Sequence, residues 1–171
     1  MGYVHPWHVR YYEVDQQGVV FNGWYLSWFD EALSGFLRHQ GLPVSVMEAR
    51  DIDYMLVRSE IDWHAGVGYE DEVSIAVEPA RIGNTSFDVR FSVLRDSKVT
   101  CSATIVYVSI SRTGSGKQPV PELLRQALAL SGPCLTVPSY SSAQVRRDRD
   151  YSKKILMLHI TIHLFRWYCL E

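Results

Sequence analysis

Apolar positions crowd together between residues 22 and 37. Trp24, Tyr25, Leu26, Trp28, Phe29, Ala32, Leu33, Phe36 and Leu37 share that stretch, with only Asp30 and Glu31 charged before Arg38. A helix with so wide an apolar stripe belongs inside a protein, so the pattern predicts an α-helix that other elements wrap. Asn22 is the expected N-cap, because its side-chain oxygen can accept from an amide that the first turn leaves unpaired, and Gly41 with Pro43 supplies the stop. Ahead of the helix, residues 3–12 set Trp7, Val9 and Tyr11 on one face at period two, which predicts a strand, with Pro6 marking an edge or a bulge. That strand ends in Asp15 and breaks at Gly18.

After a loop from Gly41 to Asp51 the period stays at two. Val57, Ser59, Ile61 and Trp63 alternate with Arg58, Glu60, Asp62 and His64; Val73, Ile75 and Val77 mark a second strand; Phe87, Val89, Phe91 and Val93 a third; and a fourth runs from Val99 through Ile105 to Ile110. Gly83-Asn84 and Asp96-Ser97 are turns of the kind that join antiparallel neighbours, so the last three strands are expected to form a meander. Pro121 then opens a short amphipathic helix ending near Leu130. The order strand, helix, four strands, helix predicts an α+β fold in which a curved antiparallel sheet wraps the apolar helix.

Composition narrows the picture. A chain of 171 residues, 47% apolar and 21% charged, has room for one domain with a real core. Seventeen basic against nineteen acidic residues, scattered rather than clustered, argue against a nucleic-acid partner. Cys101, Cys134 and Cys169 are far apart and form no metal pattern, and are read as reduced thiols of a cytoplasmic protein. The first ten residues lack the apolar run of a signal peptide, and nothing within residues 1–130 is a membrane span. TGSGKQ fails as a phosphate loop because Ser111 stands where the first glycine belongs and Gln118 follows Lys117, and no GxSxG motif occurs. His5, His8 and His64 have no ligand partners at metal spacing and are read as structural.

The domain is expected to span residues 1–130, with residues 131–171 a C-terminal extension. In that extension Leu158, Ile160, Ile162 and Leu164 alternate with His159, Thr161 and His163, which favours a strand over a helix; a helix would place His159 and His163 one turn apart.

The stretch VRYYEVDQQGVVFNGWYLSWFDEA resembles the hot-dog-fold acyl-CoA thioesterases of the 4-hydroxybenzoyl-CoA thioesterase type. The pattern is an aspartate, two residues, glycine, two aliphatics, an aromatic and then a helix, here Asp15, Gly18, Val19, Val20, Phe21 and the helix from Asn22. SEIDWHAGVGYEDEVSI, RIGNTSF and KQPVPELLRQAL are similar to the family in the same order. Many relatives carry histidine or tyrosine where this chain has Asn22, a difference that leaves a backbone role at that position intact.

The resemblance implies hydrolysis of an acyl-CoA thioester without a cofactor or metal, by homodimers or homotetramers whose sites lie between protomers. It assigns Asp15 as general base toward water or as nucleophile, and the Asn22 backbone N–H as oxyanion donor. Taken alone, Asp15 is also what an Asx-turn ahead of a helix would carry. Gly18, Phe21, Tyr25 and Trp28 are expected to line the substrate site, although aromatics at the spacing of Tyr25 and Trp28 also suit a core. Arg81 and Arg90, flanking the Gly83-Asn84 turn, are candidates for coenzyme A phosphates. Glu13, two residues before Asp15, either points inward and raises the aspartate's pKa or is solvated. A non-catalytic acyl-CoA-binding protein, or one that recruits a partner through its tail, is the alternative reading.

Overall fold

The computed structural model describes residues 3–114 and 116–129. Strands β1 (Tyr3–His8), β2 (Asp53–Trp63), β3 (Glu72–Ile82), β4 (Ser86–Arg95) and β5 (Lys98–Ile110) form one antiparallel sheet in the order β1-β3-β4-β5-β2. Three helices accompany it: α1 (Trp24–His39), α2 (Val44–Ala49) and α3 (Glu122–Ala129). The meander β3-β4-β5 follows from its turns. Asp96 and Ser97 both take left-handed backbone angles, φ 51° and 63°, as a two-residue hairpin loop matched to strand twist requires.

Period two then decides which side of the sheet becomes core. Along β5, Cys101, Ala103, Ile105, Tyr107 and Ser109 are buried while Ser102, Thr104, Val106 and Val108 between them are half-buried. The buried face receives α1: Trp28, Phe29, Ala32, Leu33 and Phe36 have no exposed surface, and Phe29 stacks on Phe91 of β4 at 4.8 Å. Burying each of the larger side chains contributes about 2–3 kcal/mol, so this helix-on-sheet contact is the main source of stability. The result is the hot-dog architecture, one helix held in a curved antiparallel sheet.

Several local expectations need correction. β1 stops at His8; Val9 is buried, and the chain then enters a 3-10 turn, Tyr11–Glu13, that leaves Tyr11 79% exposed. Val57 points outward because β2 slips register against β5 between Leu56 and Arg58, although Ser59 and Ile61 are buried on the expected face. The N-cap of α1 is Gly23, in helical conformation and without a side-chain cap bond, because the Phe21 carbonyl already accepts from the Trp24 N–H at 3.0 Å. The helix also keeps a solvent face of Ser27, Asp30, Glu31, Arg38 and His39, and α2 occupies part of the segment expected to be loop. Among the described residues no helix is long and apolar enough to cross a membrane. Cys101 is buried and free. The strand expected around residues 158–164, His159, His163, Cys134 and Cys169 lie outside the described residues.

Candidate active site

Between Arg10 and Trp24 the chain doubles back on itself. The Asp15 N–H donates to the Val19 carbonyl at 2.9 Å, the Gly18 N–H to the Asp15 carbonyl at 3.0 Å, and the Phe21 N–H to the Glu13 carbonyl at 2.9 Å. Val14 and Val20 pair as an antiparallel bridge. Gly18 permits the reversal with φ 76°, a conformation in which any β-carbon is strained. The outcome is a miniature hairpin with Asp15 at its tip and Asn22 where its second arm enters α1.

At the tip, one carboxylate oxygen of Asp15 accepts the Gln17 N–H at 2.8 Å, closing an Asx-turn. The other oxygen has no partner among the described residues. At the helix entrance the N–H groups of Asn22 and Gly23 likewise reach no acceptor among the described residues, and both residues are exposed. A half-buried carboxylate with a free oxygen and two free amides at the positive end of a helix therefore belong to one turn of chain.

Two contacts anchor that turn. Glu13 is 1% exposed: its carboxylate accepts the Trp28 Nε1–H at 2.9 Å, the Arg10 N–H at 2.8 Å and, more loosely, the Trp7 Nε1–H at 3.4 Å. It is therefore neither solvated nor aligned with Asp15 on one strand face, because the 3-10 turn rotates it into the core. The second anchor is the loop between β2 and β3. The Val20 N–H donates to the Val67 carbonyl at 2.8 Å, and a β-carbon on Gly66 would stand only 2.8 Å from Val19 Cγ1. Asp71 holds the loop by accepting the Gly68 N–H at 2.8 Å and an Arg95 guanidinium N–H at 2.5 Å. Burial alone would raise the Asp71 pKa; these bonds outweigh it and hold the carboxyl below its ordinary value.

Aromatic rings surround the turn. Tyr11 meets Tyr69 edge-on at 5.7 Å and Tyr12 meets Trp24 edge-on at 5.2 Å, while Phe21 is 56% exposed. Phe21 thus stands open to solvent beside the turn. Tyr25 and Trp28 are core residues at 2% and 0% exposure, their rings tilted against each other with centroids 4.9 Å apart. Arg81 and Arg90 are not brought to Asp15. Arg81 makes a paired contact with Asp88 at 2.8 Å and Arg90 contacts Glu78 at 2.6 Å. Arg81 also sits at the far end of β3 from Asp71, roughly 30 Å along the strand. His64 pairs with Ser102 Oγ at 2.9 Å, and burial, opposed by Asp62, holds its pKa below the ordinary value. Among the described residues no group of three His, Cys, Asp or Glu side chains could hold a metal.

The anchoring role of Glu13, and the contacts of the Gly66–Asp71 loop and of the Tyr11, Tyr12 and Tyr69 rings, are what sequence reasoning missed. Glu-x-Asp beside an invading glycine turn is the only local signal for the first; the others join residues too far apart in sequence to leave one.

The family described as the thioesterase superfamily matches residues 17–102. A 1,4-dihydroxy-2-naphthoyl-CoA hydrolase of Crocosphaera subtropica is 25% identical over 107 residues, covering 60% of this chain and 78% of that protein. The structure of a gentisyl-coenzyme A thioesterase superposes with a TM-score of 0.68 at 25% identity, covering 74% of this chain and 99% of the other. A 1,4-dihydroxy-2-naphthoyl-CoA thioesterase from Synechocystis gives a TM-score of 0.69 at 20% identity over 78% of this chain and all of the other, a likeness of fold.

Proposed function

The chain belongs to the thioesterase superfamily, a thioester hydrolase by family, and from that premise we propose that it hydrolyses acyl-CoA at the Asp15–Asn22 turn. The observation that carries the reading is the pairing, within one hairpin, of a carboxylate oxygen without a partner and helix-entrance amides without acceptors. A thioester carbonyl set against the Asn22 N–H would place its developing oxyanion on a fixed donor, an interaction whose removal typically costs about 3 kcal/mol of barrier. The free Asp15 oxygen would then take a proton from a water that attacks the carbonyl carbon, or attack that carbon itself to form a mixed anhydride that water later cleaves; either way the C–S bond breaks and coenzyme A leaves as its thiolate. Because the donor belongs to the backbone, the identity of the residue 22 side chain matters less than that of Asp15.

The exposed rings of Tyr12 and Phe21 and the half-buried ring of Trp24 at the helix entrance suit an aromatic acyl group, which stacks or packs edge-on without needing a deep channel. The naphthoyl- and gentisyl-CoA specificity of relatives points the same way. The resemblance further implies action as a homodimer or homotetramer.

The experiment is thiol release from short, long and aromatic acyl-CoAs by the parent and by Asp15→Asn. Asparagine can still accept the Gln17 N–H, so the variant keeps the turn and loses only the carboxylate's chemistry. We expect kcat to fall about a hundredfold or more, and Asn22→Ala to change it less than about threefold. The structural Asx-turn favours one rival, a protein that binds acyl-CoA without turnover. Binding of acyl-CoA by a folded parent that releases no thiol from any of them would establish that rival instead.

A further inference from the structure

A cavity of about 500 Å³ lies between the open edge of β1 and α1, lined by His5, Pro6, Trp7, His8, Arg10 and Glu31. None of these residues has a part in the chemistry above. Arg10 stands out among them. Arg58, Arg81, Arg90, Arg95 and Arg112 each face a carboxylate within 4 Å, whereas Arg10, like Arg38, Arg50 and Arg125, faces none that close among the described residues. Its guanidinium is nevertheless held in place, 4.7 Å from the Trp7 ring centroid and donating to Tyr12 Oη at 2.7 Å. Glu13 and Glu31 act on this guanidinium only through space, so its remaining N–H donors stay open to phosphate oxygens.

The cavity connects to the helix entrance through continuous contacts. Arg10 bonds to Tyr12, the Tyr12 ring meets the Trp24 ring at 5.2 Å, and Trp24 follows directly on the free amides of Asn22 and Gly23. A substrate whose thioester sits at Asn22 has a ready path for its long thiol arm along that rim. We infer that the phosphate-bearing end of coenzyme A docks at this cavity, with Arg10 and His8 as its anion contacts; the inference rests on the acyl-CoA reading of the Asp15 turn. Arg81, near the far end of β3, and Arg90, midway along β4, are each engaged by a carboxylate of their own. Glu31 lines the same cavity on α1 and repels an anion, so the phosphates sit toward the strand side.

The side chain of Arg10 can be tested without disturbing the fold, because its structural bond to Glu13 is made by the backbone N–H. The full chain and its Arg10→Gln and Glu31→Gln variants are titrated with desulfo-coenzyme A by calorimetry. KM and kcat are measured on one acyl group carried as the CoA thioester and as the pantetheine thioester, which lacks the nucleotide. We expect Arg10→Gln to weaken desulfo-coenzyme A binding about fivefold and Glu31→Gln to tighten it about twofold, the scale of exposed charge contacts. KM for the CoA thioester should move in step in each variant with kcat within about twofold, and KM for the pantetheine thioester should stay constant. Binding that ignores Arg10, no binding by the parent, or equal shifts for both thioesters would overturn the site. A parent inert on every thioester that still binds desulfo-coenzyme A in an Arg10-dependent way would sink the hydrolase reading and leave the site standing.

Discussion

Glu13 is a carboxylate for which the reaction has no direct use, and the local geometry converges on it. Two oxygens receive the Trp28 indole, the Arg10 amide and, at longer range, the Trp7 indole, while the Glu13 carbonyl holds Phe21. Glu13→Gln keeps the shape but turns one acceptor into an NH₂ group facing an N–H. We expect it to lower stability by about 1–3 kcal/mol in thermal denaturation, and to reduce kcat more than it changes KM, since it loosens the spacing between Asp15 and Asn22. Asp30 offers a contrasting test. Burial raises its pKa, with the Tyr107 hydroxyl bond acting in the opposite sense, so ionising Asp30 costs the folded state. Asp30→Asn should therefore raise stability at pH 7 by roughly 0.5 kcal/mol, a small gain because the residue keeps contact with water. The gain should fade as the pH falls through the raised pKa and vanish below the ordinary value, where both states carry the protonated acid. The turn from Asp15 to Gly18 was legible in the sequence because its motif is local. The burial of Glu13 was not, because period-two reasoning extended the first strand through a segment that folds as a 3-10 turn.

Among the elements, what the sequence made legible were those whose specification is local. The β3-β4-β5 meander follows from short turns between alternating runs, and α1 from its apolar stripe. Its start was misjudged, because the backbone bond from Trp24 to Phe21 begins the turn before a side chain can cap it. The outward Val57 was equally hidden, since a register slip is a property of two strands and appears in neither alone. The Asp96-Ser97 loop shows a residual mismatch between sequence and shape. Both residues hold left-handed angles that glycine adopts without strain, so Ser97→Gly should stabilise the chain by about 0.5–1 kcal/mol, measured by urea titration with an unchanged m-value.

At the scale of the whole molecule, β1 and β2 both present open edges, and Met55 and Val57 on β2 are 55% and 44% exposed. Unpaired backbone and apolar side chains on one edge invite pairing with another strand. With the oligomers that the resemblance implies, we expect light scattering at micromolar protein to give at least twice the 19.6 kDa chain mass; a monomer would refute that assembly. The Val20–Val67 bond carries a consequence for exchange with heavy water. It ties the Asp15–Asn22 turn to the sheet's loop at 2.8 Å, while Asn22 and Gly23, two and three residues on, offer their amides to solvent. Deuterium should therefore enter at residues 22 and 23 long before residue 20, and the interval between the two events measures how long the turn stays seated on the sheet.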